Sequence, residues 1–559
     1  MGSNMALACT HCPIHCINSL RVHPVSLVDF DSQIAHLEQT LSFLKRNRNA
    51  RLSIFRLPPE ILCEIFISCI TEFSAPNPLL RKGPIHPKPF LQKLFELTHI
   101  CRDLRKVLLQ CPSHWRRIVR SPKDCVEELL ARSSSVPIEV DFSSPEKMLR
   151  RDEENLALLM DHGGRIRTFI SPLDFRTYSE TEFQLLTSES MELQLCRSTP
   201  LLERIKLTAP IPGIRLPLRR LLGGDTPALR HIGFDGIFID WTAPILRNLT
   251  SLTIGPTDSQ YSLQTAGDFP HMLSALENMP SLQVLSLTAA LPPGHSNATT
   301  LRQISLPALA ALHVMDEVGR CANFLDCLVL TAASSIEVRT IDVPRYSINI
   351  VEIPHLLRAL QSRLHDPPAL IPILAIEFDV ASGPVTVHAG LTEDGETQKT
   401  NGQLPRLLLD IPRCSISQWV PQLLDILPLS DVCVTVIYRA GHLTVEQGHQ
   451  LFDGLVNVRV CQVIGPISPA LVTLLSTCFP RLERLCFHKT DFSHPNRRRN
   501  YGGPAPRPLT DILASSLVER RNTIGKLEEL KLKSCPGLNQ EIVDSYGDSV
   551  VGTVEWDDE

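Results

Sequence analysis

One spacing recurs along most of this chain: an apolar residue, two of any kind, an apolar residue, one of any kind, and a third apolar residue. The clearest copies are Leu202/Ile205/Leu207, Leu229/Ile232/Phe234, Leu249/Leu252/Ile254, Leu282/Leu285/Leu287 and Leu309/Leu312/Val314. Leu455/Val458/Val460, Leu482/Leu485/Phe487 and Leu527/Leu530/Leu532 follow. Weaker copies stand at Ile166/Phe169, Ile373/Ile376/Phe378 and Leu429/Val432/Val434, and Pro200, Pro227, Pro280, Pro307 and Pro480 each precede a copy. One such triplet means little in a chain that is 43% hydrophobic. Clear starts separated by 27, 20, 33 and 27 residues, with 27 again from 455 to 482, make a repeat.

The period-two half of the motif predicts a strand with one buried face, and the apolar residue three before it turns the chain inward. Stretches with helical spacing, such as Met272, Leu273 and Leu276, lie between copies. Units of strand plus helix bury their faces only by stacking, which gives a parallel sheet. The expected fold class is therefore α/β, with an irregular leucine-rich-repeat solenoid over 165–545. Within it 320–450 is poorly defined, and the polar Gly383–Gln403 reads as a loop or hairpin. Alternation places Lys206, Gly233, Thr253, Ser286, His313, Cys486 and Lys531 between the inward residues. They form the expected recognition face, since a curved array exposes a long shelf.

The N-terminal part has a different character. Residues 1–132 hold 18 Lys and Arg against 11 Asp and Glu, while the whole chain has 55 against 60. A basic head thus precedes an acidic body, and the net charge of −5 argues against general nucleic-acid binding. Residues 29–50 predict a helix with Ile34, Leu37, Leu41 and Leu44 as a heptad-like seam. That seam suits docking on its own chain or a second copy. A helical module is expected over 51–125. In Leu57-Pro-Pro-Glu-Ile-Leu-Cys-Glu-Ile-Phe66 the two prolines open a helix. Ile61, Leu62, Ile65 and Phe66 make one apolar face of it. A second helix is expected from Phe90 to Leu109, and Pro112 starts a third element with Trp115 and Ile118. Residues 126–164 read as a connecting segment and 546–559 as an acidic tail, frayed or with Trp556 covering the last repeat.

This ordered set of residues resembles the F-box, in the form abundant in mushroom-forming fungi. The most specific part is Leu57-Pro-Pro-Glu-Ile-Leu-x-Glu-Ile-Phe66, supported by Ile100-Cys-Arg102 and Pro112-x-x-Trp115. A charged, Leu-rich helix before the box and the segment Leu129–Val140 also fit the group, so the resemblance covers roughly 30–142. It departs at Leu104, where the family usually has an aromatic, and in a longer loop at 71–89. The resemblance implies docking on the Skp1 adaptor of cullin-RING ubiquitin ligases, through Leu57, Pro58, Ile61 and Ile65. It implies a non-enzymatic, substrate-recognition role, with an unknown protein substrate held on the array, at Lys206, Thr253, Ser286, His313 and Lys531 among others. The alternative is a leucine-rich interaction scaffold whose F-box remnant only caps the solenoid.

Motifs for chemistry are sparse. The chain has no G-x-x-x-x-G-K-[ST], H-E-x-x-H or G-x-S-x-G. His442 and His449, seven apart, have no partner evident from sequence. Cys9, Cys12 and Cys16, with His11 and His15 between them, are the one metal-like cluster. They lie in what reads as a disordered tail over 1–28, so neither a metal nor a cofactor is expected. The odd count of 17 cysteines suits a reducing compartment, cytoplasmic or nuclear. No signal peptide, transmembrane run or membrane partner is expected. Arg497–Arg499 reads as a solvated loop.

Overall fold

The computed structural model describes residues 27–74, 88–143, 150–172, 194–209, 214–215, 220–224, 226–255, 269–292, 302–330, 335–341, 352–364, 375–380, 385–388, 407–411, 416–427, 429–493, 507–547 and 551–557. Residues 1–26 of the expected tail, with Cys9, Cys12 and Cys16, lie outside these residues, as do Arg497–Arg499. The chain divides into two units, Met1–Val119 with Asp124–Val136, and Arg120–Lys123 with Pro137–Glu559.

The first unit is helical. Helix α1 spans Leu27–Ala50, α2 Pro59–Ser74, α3 Lys88–Thr98, α4 Arg102–Gln110 and α5 Lys123–Arg132. The expected seam of α1 is uncovered: Ile34, Leu37, Leu41 and Leu44 are all exposed. The single helix expected over Phe90–Leu109 is two. The chain breaks at 99–101, where Cys101 adopts an extended backbone and its Sγ accepts from the Leu104 N–H, capping α4. Ile100, inside the span of that expected helix, is exposed as a result. Leu62, Phe66, Leu94, Leu104, Leu108, Trp115 and Ile118 are the core. Leu104 is buried where the resemblance expects an aromatic, and the Trp115 indole N–H donates to the Leu108 carbonyl at 2.9 Å.

The second unit is built on one large, mostly parallel sheet. Its strands are β1 Ile138–Asp141, β2 Ile166–Pro172, β3 Arg204–Thr208, β4 His231–Asp235, β5 Ser251–Gly255, β6 Val284–Thr288, β7 Ala311–Asp316 and β8 Ser335–Thr340. They continue as β9 Ala375–Asp379, β10 Val385–His388, β11 Leu407–Asp410, β12 Val434–Tyr438, β13 Val460–Ile464, β14 Arg484–His488, β15 Leu527–Lys533 and β16 Val551–Trp556. From β1 to β8 each strand pairs in parallel with the next in sequence. The same holds from β12 to β16.

Between them the order reverses. Strand β8 pairs with β11, β11 with β10, β10 with β9, and β9 with β12. Strand β10 is antiparallel to both neighbours, because β9 and β10 are a hairpin. This accounts for the indistinct repeat spacing of 320–450: three strands fill the sheet in reverse chain order.

The repeat motif has a clear physical basis. Its three apolar residues are buried in every copy named clear above. The preceding prolines sit second in turns closed by backbone hydrogen bonds. These run from Leu202 N to Thr199 O, Leu229 N to Thr226 O, Leu282 N to Met279 O, Leu309 N to Leu306 O and Leu482 N to Phe479 O, at 3.0 to 3.1 Å. Proline suits this position because its fixed φ matches the turn.

Two copies lie three residues later than the spacing suggests. In β13 the inward residues are Cys461 and Val463, paired with Leu485 and Phe487. In β12 they are Thr435 and Ile437, paired with Cys461 and Val463. The motifs are therefore Val458/Cys461/Val463 and Val432/Thr435/Ile437. Their turns, Val458 N to Leu455 O and Val432 N to Leu429 O, have the same form.

The sheet also overruns the expected limits at both ends. Residues 126–164, expected to connect, contain most of α5, strand β1 and helix α6 (Arg150–Asp161). The expected acidic tail contains β16, which pairs with β15 from Leu527↔Val551 to Leu532↔Trp556. The remaining helices are α7 Phe269–Glu277, α8 Val318–Asp326, α9 Ile353–Leu364, α10 Ile416–Ile426, α11 Val445–Phe452, α12 Pro469–Leu474, α13 Leu509–Thr523 and α14 Gln540–Ser545. From α8 to α13 each helix packs on the next. Among the described residues no helix is long and apolar enough to cross a membrane.

Candidate functional site

Two surfaces carry the residues singled out from sequence, one in each unit. The first is the start of α2. Residues Ser53–Arg56 form a single 3-10 turn, and Leu57 follows in extended conformation, its N–H bonded to the Ile54 carbonyl. Pro59 is the first helical residue, where its missing N–H leaves no gap, and the Pro58 carbonyl accepts from Leu62 N at 3.1 Å. The helix then divides its apolar residues between two sides. Leu62, Cys63 and Phe66 are buried, at 3%, 8% and 6% exposure. Ile61 is 48% and Leu57 37% exposed, with Pro58 exposed beside them and Ile65 half-buried. The single apolar face expected from sequence is thus two faces, an inner one formed by Leu62 and Phe66 and an outer one by Leu57, Pro58, Ile61 and Ile65.

Behind α2 lies a group the sequence reading missed. The Sγ atoms of Cys63 and Cys111 and a ring nitrogen of His114 all lie within 4.8 Å of one another. His114 is 2% exposed, and neither ring nitrogen makes a hydrogen bond. Burial lowers its pKa; the Cys111 and Cys63 carbonyls lie near enough to oppose this, though outside hydrogen-bonding geometry. Burial first, and the Cys111 thiol second, push the Cys63 thiol up to about 12. The sequence signal was the Cys111-x-x-His114 spacing.

The second surface is the outward face of the sheet. The residues chosen by alternation fall in one unbroken row of paired positions: Lys206↔Gly233, Gly233↔Thr253, Thr253↔Ser286 and Ser286↔His313. The row continues through Glu337, Leu408, Thr386, Glu377, Val436, Gln462 and Cys486 to Lys531 and Glu555. It is open at both ends and closed in the middle. Glu377 and Val436 are buried, and Val434, Val436 and Val460 form an apolar cluster with Cys433, Tyr438 and Ile464 against it.

Charges along the row are paired. Lys206 Nζ lies 3.6 Å from Asp235, yet burial outweighs it and raises the Asp235 pKa. Lys531 lies between Glu529 at 3.2 Å and Glu555 at 3.1 Å, and these hydrogen bonds raise its pKa. Burial pushes the neighbouring Cys486 thiol up to about 11.

Ser286, His313 and Glu337 stand on three adjacent strands. The Ser286 hydroxyl is 3.2 Å from His313 Nδ1, and His313 Nε2 is 3.5 Å from Glu337. The hydrogen bond to His313 is the main reason the Glu337 pKa is lowered. A serine, an imidazole and a carboxylate in line suggest nucleophilic chemistry. The surroundings do not support it. Ser286 is a mid-strand residue paired on both sides, so no backbone N–H there is spare to stabilise an oxyanion. Arg339 holds the same Glu337 carboxylate at 2.7 Å. The arrangement orients His313 as a polar contact on the face.

His442 and His449 do not form a site together. His449 bonds Asp453 at 3.0 Å, and the Cys478 thiol donates to that carboxylate at 3.5 Å. Compared with known proteins, the chain matches no family model and no curated sequence.

Proposed function

We propose that this chain is an F-box-like adaptor, the substrate-recognition subunit of a Skp1–cullin–F-box type ubiquitin ligase. In this reading the first unit is the F-box module, and the second is an irregular leucine-rich solenoid that holds a protein substrate. The chain makes and breaks no bond itself; it acts by holding a target near a ubiquitin-charged enzyme, which raises effective concentration.

The observation that carries the reading is the outward display of Leu57, Pro58 and Ile61 by a helix whose inner face is already buried. Apolar side chains arranged this way are anchors for an apolar groove on a partner. Their exposure on the first unit supports the adaptor reading. The polar row, with Lys206, Thr253, Ser286, His313 and Lys531, is the proposed substrate face.

The test is binding of the full chain to purified Skp1, wild type against a Leu57→Asp, Ile61→Asp double variant. Both side chains are exposed, so the variant should keep its circular dichroism spectrum. Losing two anchors of about 1.5–3 kcal/mol each should weaken binding at least ~100-fold. Folded wild type that fails to bind Skp1, or a variant that binds equally well, would remove the adaptor reading.

A further inference from the structure

We propose that Cys63, Cys111 and His114 hold a zinc ion that clamps helix α2 to the turn following α4. This inference concerns the interior of the first unit and stands whether or not the outer face binds Skp1.

The geometry comes first. Tetrahedral zinc with Zn–S of about 2.3 Å sets two thiolate sulfurs roughly 3.8 Å apart. The three donor atoms here already lie within 4.8 Å of one another. A sulfur and an imidazole nitrogen on the same ion stand roughly 3.6 Å apart, so closing the remaining gaps takes at most about 1.2 Å, within reach of side-chain rotations. Of two donors, Cys111 caps the start of the 3-10 turn Pro112–Trp115 and His114 lies within it, while the third arrives from α2. That is the form of a metal site that ties two segments together.

The second observation is independent of the spacing. His114 is 2% exposed and neither of its ring nitrogens is hydrogen-bonded. Buried polar atoms without a partner are rare because each costs about 1–3 kcal/mol. A metal would satisfy one of the two nitrogens, at the point where the two sulfurs converge. The donor set selects the ion. Two thiolates and an imidazole, with no carboxylate in the set, suit zinc and not magnesium or calcium. Three protein ligands leave the fourth position to a water molecule. The other Cys/His/Asp grouping among the described residues, His449, Asp453 and Cys478, is satisfied by its own hydrogen bonds and makes no such demand.

The experiment uses the full chain with Cys9, Cys12 and Cys16 changed to serine, so that the N-terminal thiols cannot supply the signal. The reduced protein is assayed for zinc by elemental analysis and titrated with cobalt(II) alone. The expected result is one metal per chain, with sulfur-to-cobalt charge-transfer bands and the intense visible bands of a tetrahedral site. His114→Leu replaces the buried ring with an apolar side chain that can occupy its space. It should keep the circular dichroism spectrum and lose stoichiometric metal; Cys111→Ser should weaken the charge-transfer bands. The proposal is overturned if the reduced protein takes up no metal, if His114→Leu leaves the cobalt spectrum unchanged, or if cobalt binds without charge-transfer bands.

Discussion

Arg120 and Asp152 form a buried ion pair across 32 residues of chain. The Asp152 Oδ2 atom accepts from Arg120 Nη2 at 2.7 Å and from Nε at 3.1 Å, and the side chains are 5% and 0% exposed. Beside it, Asn155 Nδ2 donates to the Ser121 carbonyl at 2.9 Å. Together they fasten the segment after Val119 to α6. Removing one partner leaves a buried charge uncompensated, so Asp152→Ala should cost about 3–5 kcal/mol. An Arg120→Met, Asp152→Leu double variant should cost less than the single. Urea unfolding of the three proteins checks this; equal losses for single and double variants would show that packing, not charge, holds the segment.

Arg520 should act as a polar clamp. It is 2% exposed, and Nη1 donates to the carbonyls of Leu475 at 3.1 Å and Cys478 at 3.2 Å, while Nη2 donates to Phe479 at 3.0 Å and Leu482 at 3.2 Å. These carbonyls belong to the turn that leads from α12 into β14. Burial lowers the pKa of this guanidinium, and its hydrogen bonds to carbonyls take the place of water. Arg520→Leu should destabilise by about 3–5 kcal/mol, since four carbonyls each lose a charged donor at once and only Phe479 keeps another, the Leu482 N–H. Arg520→Lys should recover only part of this, because a compact ammonium cannot span the same fork. Hydrogen exchange of the amides over 471–482 reports the effect locally. Unchanged exchange in Arg520→Leu would refute the clamp.

The carboxyl of Asp316 should make stability depend on pH. It is 3% exposed, and its pKa is raised to about 6, chiefly by burial. The N–H groups of Leu291 and Glu317, at 3.0 and 2.8 Å, and the Arg320 guanidinium oppose the rise. A raised folded-state pKa means the folded chain binds this proton more tightly than the unfolded chain. The stabilisation is complete below the unfolded value, about 4, and is lost as pH rises through about 6. Its upper limit is about 3 kcal/mol. Asp316→Asn should flatten the dependence of urea unfolding on pH between about 4 and 7. A variant with the same slope as wild type would place the titrating group elsewhere.

Leu312 and His313 are neighbours on β7 that face opposite sides of the sheet, and their substitutions should differ sharply. Leu312 is 1% exposed and stands in the buried row with Leu285 and Ile336. Leu312→Ala should cost about 2–5 kcal/mol. His313→Ala removes only partly exposed polar contacts and should change stability by at most about 1 kcal/mol. Thermal unfolding of the two single variants decides it, and a large loss in His313→Ala would mean the outward row is structural and not a recognition face.

What was legible in the sequence was legible for a local reason. A strand that buries one face must alternate, so Leu202, Ile205 and Leu207 announce both a strand and its inward side. The row from Lys206 to His313, which no sequence neighbour connects, followed from alternation alone. The repeat is illegible where the inward residue is not recognisably apolar. Cys461 and Thr435 are both fully buried, yet neither reads as a core anchor, and the apolar Val460 and Val434 beside them drew the motif three residues upstream. Likewise, nothing local distinguishes Ile61 from Leu62 on α2. Only the neighbours packed against the helix decide which of the two is covered.

The sequence by itself determined the strand-forming repeat, its inward residues wherever these are apolar, the prolines before the copies and the helical N-terminal part, because these rest on periods of two and 3.6 residues and on the fixed φ of proline. The tertiary structure alone decided the reversed order of β9, β10 and β11, the strands beyond the expected limits, the outer face of α2, and the meeting of Cys63 with Cys111 and His114. Each of these depends on which distant segments become neighbours, and that is set by packing over the whole sheet or helical cluster, which no local period records.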